Sequence, residues 1–118
     1  MRKRILVVDD SNLMQHCITQ CLTNAGYEVV GKAKDGNEAV HLYRQLLPDA
    51  VTMDVTMRGK DGIAAAREIL EERPGAAIIF YTLLDIPGLE EKAHSLGVND
   101  IVRKGDEAGL LQALAQLK

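Results

Sequence analysis

At 118 residues, with 47% hydrophobic and 26% charged side chains, the chain has the size and composition of one globular domain. Such a chain buries roughly two thirds of its unfolded surface, and this composition excludes disorder and collagen-like repeats. A formal charge of −3 argues against non-specific nucleic-acid binding, and 3% aromatics with no Trp imply an aliphatic core without a base-stacking platform.

The first apolar run, Ile5-Leu6-Val7-Val8, ends at Asp9-Asp10 and predicts a strand. It is too short for a signal peptide or a membrane span, and two Cys make no disulfide framework, so a cytoplasmic protein with one domain over residues 1–118 is expected. Ser11 is placed to cap a helix whose stripe is Met14, Cys17, Ile18, Cys21, Leu22 and Ala25, with Gly26 as its stop. A second strand is predicted from Tyr27 to Val30, ending at Gly31. After Asp35 a helical stripe of Ala39, Val40, Tyr43, Leu46 and Leu47 runs to Pro48. Ala50-Val51-Thr52-Met53 then forms a third strand before Asp54, and Ile63, Ala66, Ile69 and Leu70 mark a helix ended by Pro74-Gly75. The fourth strand is Ala77 to Tyr81 before Thr82, followed by a weaker stripe of Leu89, Ala93 and Leu96 stopped by Gly97. Val98 to Val102, before Arg103-Lys104, is the fifth strand, and Asp106 caps a last helix carrying Leu110, Leu111, Leu114 and Leu117.

Near-continuous apolar runs suit parallel strands covered on both faces, so strands alternating with helices imply an α/β fold with right-handed crossovers. Ligands of such open sheets sit at the carboxyl ends of the strands. The residues there are Asp9, Asp10, Asp54, Thr82 and Lys104. Taken singly, an Asp pair at a strand end caps a helix, a lone Asp marks a turn, and a Lys is a solvated charge. Their joint placement at the ends of four strands is what packing does not explain.

With the first and third strands adjacent, Asp9, Asp10 and Asp54 converge. Two carboxylates at about 4 Å repel by about 4 kcal/mol at an effective dielectric near 20, so either a pKa rises or a cation joins them. Hard oxygen donors without His or Cys suit Mg²⁺, which takes one or two carboxylates together with phosphate oxygens. The expected chemistry is therefore phosphoryl transfer, with one carboxylate as nucleophile, Lys104 as a cationic donor and Thr82 as a hydroxyl donor.

The same residues carry a family resemblance. Ile5-Leu6-Val7-Val8-Asp9-Asp10-Ser11, then Pro48 through Met57 with Asp61-Gly62 following, resemble a response regulator receiver domain of the CheY-like kind, and Thr82 and Lys104 fall where that family has its hydroxyl and lysine. The resemblance covers essentially the whole chain. It implies a flavodoxin-like, doubly wound five-stranded parallel sheet of order 2-1-3-4-5 with five helices. It also implies that Asp54 accepts a phosphoryl group from a sensor histidine kinase or phosphotransfer protein. Asp10, Asp54 and the backbone carbonyl of Thr56 would hold Mg²⁺, with Asp9 reaching it through water. Lys104 would bind the phosphoryl group and Thr82 would move toward it. Such a domain is a signalling switch, not an enzyme. It would bind its target or effector, or a second copy of itself, through the face of the fourth helix, fifth strand and fifth helix, and would touch neither membrane nor nucleic acid directly.

Four positions depart from the family pattern. Ile101 stands where many members have an aromatic, Gly105 and Arg58 where they often have Pro, and Leu83 where a small residue is usual. Leu83 is expected to narrow access to Asp54 and slow phosphorylation by small donors. Three other readings compete with the switch: a pseudo-receiver that is never phosphorylated, a small Mg²⁺ phosphohydrolase, and the excised N-terminal receiver of a DNA-binding regulator. Phosphohydrolases commonly want a second acid two residues beyond the nucleophile, where this chain has Thr56. Cys17 and Cys21 are expected to be small core residues, and His16, His41 and His94 to face solvent. Arg2-Lys3-Arg4 reads as a solvated strand entrance, with a phosphate-binding patch as the lesser alternative.

Overall fold

Every apolar run becomes a strand and every stripe of three-and-four spacing a helix. The computed structural model describes residues 2–83 and 85–117. In chain order the elements are β1 (Arg4–Val8), α1 (Asn12–Asn24), β2 (Glu28–Ala33), α2 (Gly36–Leu46), β3 (Ala50–Met53), α3 (Gly62–Glu72), β4 (Ile78–Thr82), α4 (Leu89–Leu96), β5 (Asp100–Arg103) and α5 (Glu107–Ala115). The strands are parallel in the order β2-β1-β3-β4-β5.

The sheet separates two apolar layers, since successive strand side chains point to opposite faces. On one face Ile5, Val7, Ile79, Tyr81 and Val102 pack against Ile18 and Leu22 of α1 and Leu110 and Leu114 of α5. On the other, Leu6, Val8, Met53, Phe80 and Ile101 pack against α2, α3 and α4. Four of the five helices begin as the caps dictate: the side chains of Ser11, Asp35, Asp61 and Asp106 each accept a backbone N–H of the first turn. Helix α4 begins at Gly88 without a side-chain cap.

Several sequence expectations need correction. β2 continues through Gly31 instead of ending there. A side chain at Gly31 would put its Cβ 2.7 Å from Leu46 Cδ1, so the glycine lets α2 lie close to the sheet and does not mark a stop. Leu47, counted in the α2 stripe, is instead the left-handed cap of that helix, with φ 45° and its side chain largely exposed. On α1 the buried positions are Gln15, Ile18 and Leu22, whereas Cys17 is exposed and Cys21 only half-buried. The cysteines lie on the flank of the inward arc, because 100° of rotation separates Cys17 from Ile18. The three histidines are exposed, as expected.

Lys3 and Arg4 are not simply solvated. Arg4 Nη1 donates to the carbonyls of Leu46 (2.9 Å) and Leu47 (3.1 Å), and Lys3 Nζ donates to the carbonyl of Leu117 (3.1 Å). Their cationic groups meet carbonyls left over at the end of α2 and beyond α5, which employs them structurally and leaves no basic patch for phosphate at these two residues.

Candidate functional site

Pairing of β1 with β3 sets Val8 beside Met53, and the Asp54 N–H donates to the Val8 carbonyl at 2.9 Å. The residues after these strands, Asp9 and Asp54, therefore emerge side by side on the α1/α5 face, two positions beyond Val7 and Thr52. Both carboxylates are nearly inaccessible, at 1% and 4% exposed, while Asp10 is open to solvent. One oxygen from each of Asp9, Asp10 and Asp54 lies within 4.8 Å of the other two. Lys104, just past β5, completes the group: its Nζ is 2.7 Å from Asp9 Oδ2 and 3.1 Å from Asp54 Oδ2.

The backbone around the carboxylates is tied in several directions. Asp9 N–H donates to the Ala33 carbonyl (3.0 Å) and Asp9 Oδ1 accepts the Ser11 N–H (2.9 Å). Buried Gln15 spans the gap between strands, its Nε2 donating to the carbonyls of Asp9 (2.8 Å) and Ala33 (3.0 Å). Gly62 packs against the backbone of Asp54 so closely that a Cβ there would stand 2.1 Å from the Asp54 carbonyl oxygen. Sequence reading missed Gln15. Its signal was a polar residue three before Ile18, on the inward face of α1.

Electrostatics follow from this enclosure. Burial pushes the Asp54 carboxyl above the ordinary aspartate range; the Lys104 ammonium pulls it down, Asp9 adds to the rise, and a backbone contact from Thr56 opposes it. Burial alone would lower Lys104, but the close approach of Asp9 and Asp54 more than reverses this and leaves it raised. Three carboxylates facing one ammonium carry surplus negative charge, and their hard oxygens fit a divalent cation such as Mg²⁺. Asp9, Asp10 and Asp54 are brought together as expected. Thr56, whose carbonyl was the fourth expected ligand, is an exposed residue in the turn after β3.

Thr82 lies elsewhere. It is 5% exposed at the end of β4, its carbonyl accepts the Lys104 N–H, and it lines a recess of about 540 Å³ with Ile86, Leu89 and Ile101. Ile101, where an aromatic is common, is half-buried against the same apolar layer. Leu83 is 60% exposed and borders a smaller recess of about 280 Å³ with Met14, Cys17, Tyr81 and Lys104. Among the described residues no peptide is cis, and Lys104–Gly105 is trans.

A family model for the response regulator receiver domain matches residues 5–115. The chain belongs to the response regulator receiver family. The receiver is 41% identical to the chemotaxis protein CheY of Thermotoga maritima over 104 residues, covering 88% of this chain and 87% of that one. It is also 41% identical to protein CcdB of Bacillus subtilis over 115 residues, with 97% and 96% covered. Among solved structures it resembles CheY of Borrelia burgdorferi in a complex with CheX, BeF3 and Mg²⁺, with a TM-score of 0.89 at 33% identity, covering 95% of this chain and 86% of that one. The receiver is thus a CheY-like module of two-component signalling with the flavodoxin-like strand order. Among its described residues no helix is long and apolar enough to cross a membrane.

Proposed function

We propose that this receiver takes a phosphoryl group on Asp54 from the phosphohistidine of a sensor histidine kinase or phosphotransfer protein. The observation that carries the reading is the bridge made by Lys104, whose Nζ spans Asp9 and Asp54 inside a three-carboxylate cluster. An Asp54 carboxylate oxygen attacks phosphorus, an acyl phosphate bond forms, and the P–N bond breaks with its electron pair returning to the imidazole. Lys104 stands where it can neutralise an oxygen of the transferred group while keeping its contact with Asp9. Asp10, Asp54 and the Thr56 carbonyl would hold Mg²⁺, with Asp9 acting through water. Bound there, the ion supplies charge neutralisation for the equatorial oxygens of a loose transition state.

The switch follows from energy. Hydrogen bonds to a charged group are each worth about 1.5–3 kcal/mol, and two of them approach the roughly 5.5 kcal/mol that inverts a 1:99 equilibrium. Lys104 makes one, and Thr82, moving toward the phosphoryl group, makes the other. Thr82 borders the recess beside α4, so its movement alters the α4–β5–α5 face, which binds a target, an effector domain or a second copy. This receiver works in the cytoplasm, as a stand-alone regulator or as one unit of a longer protein, and residues 1–118 form a single receiver domain. The Borrelia CheY complex, which contains BeF3 and Mg²⁺, supports the reading by its likeness to this chain.

Incubation with Mg²⁺ and a small phosphodonor, followed by intact-mass measurement, tests the reading. One phosphoryl group is expected on the parent and none on Asp54→Asn. Uptake at the same position by that variant, or Mg²⁺-independent binding of beryllofluoride, overturns it. The pseudo-receiver alternative predicts no beryllofluoride binding at all, and the phosphohydrolase alternative predicts turnover of a generic phosphate ester.

A further inference from the structure

Gly105 follows Lys104 with φ +95°, a conformation that L side chains rarely adopt. Its N–H, partly buried, donates to the hydroxyl oxygen of Tyr81 at 2.9 Å. Tyr81 itself is 3% exposed, its ring packed in the α1/α5 layer. One residue away on each strand, the Lys104 N–H donates to the Thr82 carbonyl at 2.9 Å. Two consecutive residues of β4 thus hold the backbone of two consecutive residues at the end of β5, one through main chain and one through a side chain. The Arg103 carbonyl, next in line as a local acceptor, receives the Asp106 N–H. The phenol is the acceptor found for the Gly105 amide, and a proline at 105 would have no N–H to give and could not adopt this φ.

We propose that Tyr81 is a positioning residue for phosphotransfer: by accepting the Gly105 N–H it sets the turn from which Lys104 reaches Asp9 and Asp54. The proposal rests on Asp54 being the acceptor and Lys104 its cation. A rigid ring with two rotatable bonds, clamped in a packed layer, fixes its hydroxyl in space, and the hydroxyl fixes the main chain beside the lysine. Tyr81 does not itself touch the carboxylates; its effect passes through the placement of Nζ. The exposed Leu83, two residues on along the same face, borders the same small recess and makes no such bond.

Tyr81→Phe keeps the ring and removes the acceptor. At saturating Mg²⁺, acyl phosphate formation from a small donor is expected to slow about tenfold, the cost of a loosely held catalytic group. If the effect passes through Lys104, Tyr81→Phe slows a Lys104→Arg protein by less than about twofold, because the change removes a placement already lost. Mg²⁺ affinity, set by the carboxylates, stays at the parent's value. Amide hydrogen exchange at Gly105 accelerates in Tyr81→Phe. Parent-like rates in Tyr81→Phe, equal slowing in both backgrounds, or unchanged exchange at Gly105 overturns the proposal while leaving Asp54 as acceptor. A parent that takes up no phosphoryl group sinks both readings, and that failure is visible before any variant is made.

Discussion

The carboxyl ends of β1 and β3 and the carboxyl end of β4 are built differently. At the first, Asp9 and Asp54 are enclosed and their backbone is held by neighbouring strands, by Gln15 and by the close approach of Gly62. At the second, Thr82 borders a recess of about 540 Å³, Leu83 extends into solvent, and α4 starts without a side-chain cap. The phosphoryl transfer proposed above needs reacting atoms in register, and Asp9 and Asp54 at the first end are held from several sides. The proposed movement of Thr82 needs space, and the recess at the second end provides it. The fold separates precision from compliance by one strand's width.

Substitutions at each end test the contrast. The largest effect is expected from Gly62→Ala, whose Cβ would stand 2.1 Å from the Asp54 carbonyl oxygen. Backbone would have to shift on the rigid side, costing about 3 kcal/mol in urea unfolding. A parent-like midpoint would show that this end is less tightly built than its contacts imply.

Next comes pH. Because burial raises the Asp54 carboxyl, the folded state holds that proton more tightly than the unfolded chain. The metal-free fold therefore loses stability as pH rises from the ordinary aspartate value through the raised one. In a chelator, the thermal midpoint of the parent should fall relative to Asp54→Asn on going from acidic to neutral pH. Mg²⁺, proposed above to be held by the ionised carboxylate, should reverse the difference, and its affinity should drop on acidification sooner than an ordinary aspartate would dictate. Calorimetric titration across pH checks both. A difference between parent and variant that does not change with pH removes the argument.

The smallest effect belongs to the open end. Leu83→Ala should leave stability unchanged, as the side chain is mostly in solvent, yet raise phosphorylation by a small donor a few-fold. Equal rates would mean that Leu83 does not narrow the approach.

Much of this was legible in the order of residues. Apolar runs ending in Asp9, Asp54, Thr82 and Lys104 located the strands and the acidic cluster, because parallel strands bring their last residues to one edge whatever their separation in sequence. Contacts that need three dimensions were not legible. Gln15 drew no attention in the sequence, because the two carbonyls it serves, of Asp9 and Ala33, come beside it only in the fold. Tyr81 read as the end of an apolar run, since the amide its hydroxyl meets is 24 residues away. Cys17 was misread because its spacing fits the stripe while its angle on the helix does not. Lys3 and Arg4 looked free because their partners are main-chain carbonyls, which no pattern of side chains reveals.

The alternation of the strands has one more consequence. Lys104 shares a recess with Met14, Cys17 and Ile18 of α1, whereas Thr82 shares one with Leu89 of α4 and with Ile101. A donor protein reaching Asp54 would press on the α1 and α5 side, and a target seated on α4, β5 and α5 would share that last helix with it. The two seats overlap along one helix, so message and recipient would meet the receiver by turns.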